Sequence, residues 1–479
     1  MEMRKPEMRL IAVLLIAFAA LAQTPPATDA KAYVKYDQPL IVLNHVRVID
    51  GTGSAAKDDQ QVVISGGKIQ VITAAGAQTP PGAQVLDLTG DSVIPGLVGM
   101  HDHLYYPAPG RGIALYPEHA WSFPRLYLAA GVTTIRTTGS VEPYTDLELK
   151  QKIDSGKMPG PKMFVTGPYL EGAGAFTPQM HQLKDAADAS RTVDYWIYEG
   201  VSNFKAYMNI TREELRAAVE QAHRQKIKVT GHLCSIGFRE AAAIGIDDLE
   251  HGIVVDSEFA PSKQPDRCPP QKDIRDTLLK LDINGEQVQG MIKDLIAHHV
   301  AMTSTLPVFE GFVPNRPPLR QANLDAMLPE SRQQYLAVRE AMAKNAAQSV
   351  FPALFKKELE FEYSFAKNGG LLLAGLDPTG NGAVVAGYGD QREVELLVEA
   401  GFTPLEALHI ATYNGAQYLG ELDRIGTLAP GKQADIVAIK GDPSTRISDI
   451  ENVELVFKDG VGFDPAKLVK DANGWVGLK

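Results

Sequence analysis

Gly96-Leu-Val-Gly-Met-His101-Asp-His103 is a short apolar run that ends in two histidines two residues apart. On a strand, residues at that spacing project from the same face, so both imidazoles converge on one point. Runs of the same kind recur at Thr133 to Thr137, Lys162 to Thr166, Asn203 to Tyr207, Lys228 to His232, Asp248 to His251, Ala301 to Leu306 and Leu371 to Asp377. Stretches of helical character separate them, which is how repeated βα units on a parallel sheet look in sequence. Together they predict an α/β fold, a (β/α)8 TIM-like barrel over residues 96–420. Two connections are longer than the rest. Residues 255–290, with Cys268-Pro269-Pro270, predict a long loop, and residues 318–368 predict one or two inserted helices. In Thr403-Pro404-Leu405-Glu406 an N-cap hydroxyl, a first-turn proline and a capping-box glutamate stand in register, so a helix starts there and ends at Gly420.

Outside the barrel, Leu40 to Val48, Gln61 to Ile64, Lys68 to Ile72 and Gln84 to Leu88 read as strands divided by turns such as Ser65-Gly66-Gly67. Asp435 to Ile439 and Val453 to Lys458 repeat the pattern at the other end. The two ends, 38–95 and 421–479, therefore predict one small β-sandwich domain. Residues 23–37, opening Gln23-Thr-Pro-Pro-Ala, lack periodicity and read as a linker. The first 22 residues carry Arg4, Lys5 and Arg9, then an apolar stretch from Leu10 to Ala22, with Ala20-Leu21-Ala22 at its close. That order is a secretory signal cut after Ala22, and it predicts a periplasmic or secreted protein. About a dozen apolar residues fall short of the ~20 that span a bilayer, so no stable membrane insertion is expected after cleavage.

The 479 residues are 44% hydrophobic and 22% charged, which excludes a disordered chain and a multi-span membrane protein. Three basic and two acidic residues leave with the signal, moving the formal net charge from −11 to −12. An acidic surface repels nucleic acid and anionic lipid, so the expected partner is a small-molecule or dipeptide substrate. Cys234 and Cys268 can pair in an oxidising compartment or stand as two thiols; spacing leaves both open, and it leaves the oligomeric state open too.

His232 ends Ile227-Lys-Val-Thr-Gly-His232, and His251 ends Ile246-Asp-Asp-Leu-Glu-His251. In a barrel of this kind the strand ends meet at one mouth. Asp377 closes Leu371-Leu-Leu-Ala-Gly-Leu-Asp377, a run too apolar to hold an unpaired carboxylate without cost. Asp377 could cap the next segment of chain, but beside four similarly placed histidines it reads as a metal ligand, and imidazole nitrogen suits zinc and similar transition metals. Lys205, in Asn203-Phe-Lys-Ala-Tyr207, is the odd member. Its ammonium, with a pKa of ~10.4, would be repelled by a dication, and spacing alone favours a salt bridge. Tyr207 shares the strand face of Lys205 and is a candidate for binding a substrate oxygen, or a packed rim aromatic. His181, Arg136 and Arg111 are further candidates for the mouth.

Pro95-Gly-Leu-Val-Gly-Met-His-Asp-His-Leu104 resembles the strand-one motif of the amidohydrolase superfamily. Ala411-Thr-Tyr-Asn-Gly-Ala-Gln-Tyr-Leu-Gly420 and Gly426-Thr-Leu-Ala-Pro-Gly-Lys-Gln-Ala-Asp435 resemble its C-terminal motif, and the likeness covers almost everything after residue 38. It implies a centre of two divalent transition-metal ions, zinc in the first instance, and a carbamate formed on Lys205 from CO₂. His101, His103 and Asp377 would hold one ion, His232 and His251 the other, with carboxylated Lys205 between them. The resemblance further implies attack by a metal-bridging hydroxide, Asp377 relaying its proton to the leaving nitrogen. The Lys-x-Tyr pair is similar to that of Xaa-Pro dipeptidases and imidazolonepropionase-related amidohydrolases, which implies cleavage of an amide C–N bond in a dipeptide or N-acyl amino acid. Thr137 stands where relatives often have Asp, which weakens any transfer of substrate specificity. Three alternatives stay open. A mononuclear deaminase would want a glutamate where Ser235 stands, a lactonase would use the same ligands on another ester or cyclic amide, and a non-catalytic periplasmic binding protein would have no reason to keep all of them.

Overall fold

The computed structural model describes residues 29–108 and 115–477. The signal segment and Arg111 lie outside the described residues.

Both chain ends meet, but their strands among the described residues pair into one nine-stranded sheet and not into the two sheets of the expected β-sandwich. Asp91–Pro95 pairs antiparallel with Ile436–Lys440, and Val34–Tyr36 pairs antiparallel with Val461–Phe463. Leu40–Val48 and Lys57–Ser65 extend the sheet as a hairpin arm, carried on by Lys68–Ala74. Alternation along these strands buries one row of side chains, Ile41, Leu43, Val62, Ile64, Ile436 and Phe457, as a core separate from that of the barrel region. The turn at Gly67 needs glycine: its φ is +78°, and a Cβ would stand 2.9 Å from the Asp459 carbonyl oxygen. The expected linker is ordered earlier than its composition suggests. Asp29 caps a 3₁₀ turn over Ala30–Tyr33, and buried Tyr33 anchors it through a 2.8 Å hydrogen bond to Asp471.

The inner strands are parallel throughout. Leu97–Asp102, Val132–Thr137 and Lys162–Phe164 form one sheet. Thr166–Leu170, Asn203–Ala206, Lys228–Gly231, Asp248–Glu250, Ala301–Ser304 and Leu372–Ala374 form a second. The third expected strand is therefore two pieces broken at Val165, one pairing backward and one forward. Among the described residues no ladder joins Leu372–Ala374 to Leu97–Asp102, but the chain just beyond approaches closely. Asp377 N–H donates to the His101 carbonyl at 3.0 Å, and a Cβ on Gly375 would meet His101 Cβ at 2.4 Å, so only glycine allows that approach.

Two connections differ from expectation. Residues 255–290 are not one long loop: Gln271–Lys280 is a helix that buries Ile274 and Leu278, a single pair four residues apart that follows two prolines, and Glu286–Ala297 begins within the range. Residues 318–368 hold three α-helices, Gln321–Ala326, Pro329–Lys344 and Phe351–Lys367. Cys234 and Cys268 are disulfide-bonded, tying the chain beyond Lys228–Gly231 to the first of these connections. The capping box at Thr403 and Glu406 forms as expected, and Gly420 ends the segment at φ 74°. Between them Ile410–Asn414 widens into a π turn, from which the Asn414 side-chain amide donates to the Leu372 carbonyl at 2.8 Å. No described helix is long and apolar enough to cross a membrane.

Candidate metal centre

Six side chains from five separate strand ends meet in one buried place. His101 Nδ1 lies 2.6 Å from Glu250 Oε2, so its N–H donates to the carboxylate and the Nε2 lone pair faces inward, 3.1 Å from Lys205 Nζ. His103 Nδ1–H donates to the Gly139 carbonyl at 3.1 Å, which turns its Nε2 toward Asp377 Oδ1 at 3.8 Å. Asp377 Oδ2 is 3.8 Å from His101 Nε2 and 3.9 Å from His251 Nδ1. His251 also has Thr305 Oγ1 at 2.7 Å, and the His232 ring stands 4.4 Å from that of His251. His251 and Asp377 take φ values of 72° and 49°, a left-handed conformation that side-chain-bearing residues rarely adopt and that gathers at functional sites.

The distances from the Asp377 oxygens to His101, His103 and His251, 3.8–3.9 Å, are too long for hydrogen bonds. They approach the spacing of ligands around one small cation, about 3.3 Å for tetrahedral bonds of about 2.05 Å. His101, His251 and Asp377 place ligand atoms within 4.8 Å of one another, and Asp377 Oδ1 is buried without a hydrogen-bond partner. Burial, then the nearby Lys205 charge, holds His101 and His103 well below the ordinary histidine range and takes His232 down to about 3. Burial, then His232, does the same for His251. Neutral imidazoles with free lone pairs are what a metal ion requires. Burial raises Asp377 to about 6 against the pull of Lys205 and Thr379, and lowers Lys205 to about 8 against the pull of Glu250 and Asp377. The donor set thus fits a divalent transition metal.

Tyr207 is with this group. It lines a cavity of ≈ 190 Å³ together with His103, Tyr105, Tyr169, Lys205 and Asp377. Tyr105 stacks on His103 at 4.4 Å and its hydroxyl is hydrogen-bonded to that of Tyr169, whose ring packs edge-on to Tyr207 at 4.8 Å. Reading the sequence missed Tyr105 and Tyr169, though Tyr105 follows His103 at the same two-residue interval that singled out the histidines.

His181 and Arg136 are not at the mouth. His181 is exposed and faces Asp188 at 3.6 Å, so it does not line the cavity. Arg136 is fully buried beneath the centre: it donates to the Met100 carbonyl at 2.8 Å, to Asp248 at 2.8 Å and to Glu250 at 2.9 Å. Although burial pulls against it, Glu250 and Asp248 hold the guanidinium above its ordinary pKa. With two carboxylates facing one cation, burial and Asp248 push Glu250 up to about 8. The sequence signal was the alternation Asp248-Leu249-Glu250, which puts both acids on one strand face and calls for an interior cation. Arg136→Met removes that cation and leaves both acids buried without it, so it should destabilise the fold by about 3–5 kcal/mol. Urea unfolding measures this, and a loss under ~1 kcal/mol would show that the network is not a buried ion pair.

Comparison with known proteins gives the setting for this geometry. A model described as Amidohydrolase family matches residues 384–463, which begin beyond Asp377 and include none of the side chains above. The chain is 37% identical over 97 residues to an allantoinase of Streptomyces avermitilis, covering 20% of each protein. It is 38% identical over 69 residues to an N-substituted formamide deformylase of Arthrobacter pascens, covering 14% of this chain and 12% of that one. The matched stretches therefore span a fifth or less of these relatives' length. The structure of a Xaa-Pro dipeptidase with methionine bound in its active site has a TM-score of 0.66 and 21% identity, covering 89% of this chain and 100% of that one, which shows a common fold. The chain thus carries an amidohydrolase family segment at residues 384–463, built into a fold that it shares with a Xaa-Pro dipeptidase.

Proposed function

We propose that this protein is a metal-dependent hydrolase of the amide C–N bond in small molecules of the dipeptide or N-acyl amino acid class. The observation that carries the reading is the buried meeting of His101, His251 and Asp377 within 4.8 Å, with His103, His232 and Lys205 around them. The parallel strands are read as one closed (β/α)8 barrel, supported by the approach of Gly375 and Asp377 to His101. His101, His103 and Asp377 would hold one ion, and His232 and His251 a second, with zinc the metal best suited to these donors. Bound there, such ions lower the pKa of water and polarise a carbonyl.

The chain's own groups do the rest. Asp377 is placed to take a proton from the attacking water and return it to the leaving nitrogen. Glu250 fixes the tautomer and direction of His101. Tyr207 stands 5.0 Å from His232 on the cavity wall and would orient the substrate's carbonyl or carboxylate oxygen, while the surrounding aromatic rings exclude water. Lys205 would take up CO₂ as a carbamate able to serve as a ligand: its neutral amine would form an N–C bond and give up a proton, leaving an anion where an ammonium stood. Burial that brings the ammonium down to about 8 makes the neutral amine accessible. The test is elemental analysis of chelator-free protein alongside a panel of dipeptides and N-acyl amino acids. About two transition-metal ions per chain and amide turnover are expected; one tightly held ion at full activity would favour a mononuclear centre.

The same reading places the protein outside the cytoplasm. The basic, apolar, Ala-x-Ala order of residues 1–22 supports it, and so does the Cys234–Cys268 disulfide, which belongs to an oxidising compartment. N-terminal sequencing of protein from its native host should begin near Gln23, and an intact Met1 in a cytosolic fraction would refute the export.

A further inference from the structure

The cavity at the candidate centre is small, ≈ 190 Å³, below the range of sites that enclose a drug-sized ligand. It does not stand alone. A second cavity of ≈ 320 Å³ shares His232, Phe309 and Phe312 with it as a common wall. A third of ≈ 550 Å³ shares Arg275, Phe312 and Phe351 with the second. The three form a row leading outward from the ligands, and the two connections to which the sequence assigns no role build the middle one. Ile274 and Arg275 come from helix Gln271–Lys280, and Phe351, Leu354 and Phe355 from helix Phe351–Lys367. Its lining is apolar apart from His232, Gln271 and Arg275.

Arg275 stands where the second and third cavities meet. Among the described residues no carboxylate lies within ion-pair distance of its guanidinium, and the adjacent Asp276 is already paired with Lys272 at 2.5 Å. A line of adjoining, mainly apolar cavities that begins at the candidate centre and reaches a cation with no carboxylate beside it fits a molecule with the same order of parts. We infer that the substrate is an elongated amide, whose scissile group sits at the metal ligands, whose apolar arm passes Phe309 and Phe312 into the second cavity, and whose far end carries a carboxylate for Arg275. This inference rests on the hydrolase reading for the identity of the scissile bond, and on the cavities alone for the arm and its charge.

Binding of methyl ketones to the metal-loaded protein tests it, because a ketone presents the carbonyl of an amide and cannot be hydrolysed. The probes are 10-oxoundecanoate, with a long apolar arm and a distal carboxylate, and levulinate, with a short one; Kd is read by calorimetry. The long probe should bind at least ~10-fold tighter, since each buried methylene adds to affinity. Leu354→Trp, which fills the second cavity, should abolish the difference, and Arg275→Ala should weaken the long probe at least ~5-fold with levulinate unchanged. Equal Kd values for the two probes on the wild-type protein would overturn the inference, as would a long-probe Kd that neither substitution moves. Turnover of the corresponding N-acetyl ω-amino acids is measured separately. Tight binding of the long ketone without any amide turnover would refute the hydrolase reading and leave the subsite standing, while turnover with no dependence on arm length in either assay would refute the subsite alone.

Discussion

Lys205→Ala is expected to lose metal and turnover together. The side chain is fully buried with its Nζ 3.1 Å from His101 Nε2, so as an ammonium it would occupy the space that an ion bound to His101 needs. As a carbamate it would supply an anion to both ions. Without it the second ion keeps only His232 and His251, fewer protein ligands than the three or four of established zinc sites. Metal content should fall from about two ions per chain to one or fewer, and kcat/KM should fall by at least ~100-fold, the upper end of what losing a mere supporting contact costs a metal site. Acetate or propionate, small enough for the vacated space, should restore part of both, whereas a lysine serving only in a salt bridge would show no such rescue. Two ions and normal turnover in Lys205→Ala would show that no carbamate on Lys205 is needed and would end that mechanism.

Asp377→Asn is expected to retain the fold and lose ~10²- to 10⁴-fold in kcat, the usual contribution of a positioned acid–base group. The amide is nearly isosteric with the carboxylate, and Oδ1 makes no protein hydrogen bond that the change would break. What it loses is the capacity to accept and return a proton, together with the negative charge facing His101, His103 and His251. Metal analysis separates the two effects. Low kcat with metal retained assigns Asp377 to proton transfer, and low kcat with metal lost assigns it to holding the ion. Near wild-type kcat with unchanged metal would remove it from the mechanism.

Much of the candidate centre was legible in the sequence because its candidate ligands sit at strand ends, where local pattern fixes direction. The two-residue interval of His101 and His103 is enough to put both on one face, and apolar runs closing at His232, His251 and Asp377 mark where strands give way to loops. The helix start at Thr403 was equally legible, since a capping box is a contact between residues three apart. Both kinds of information are local, so no other part of the chain can alter them.

Depth along the inner strands is not local. Arg136 and His103 both lie on inner strands, yet Arg136 ends beneath the centre against Asp248 and Glu250, while His103 reaches the cavity. Periodicity fixes the face a side chain occupies but not its level, which depends on the register between neighbouring strands and hence on pairings made across hundreds of residues. The same reason hid the role of Glu250 as partner of His101, the exposure of His181, the pairing of Cys234 with Cys268, and the placing of two long connections beside the site. The sequence by itself therefore determined which residues could bind a metal and on which faces they stand. Only the tertiary structure decided which of them meet, which carboxylates and cations lie beneath them, and what shape of molecule could reach them, because those are contacts between elements whose separation in the chain carries no record of their separation in space.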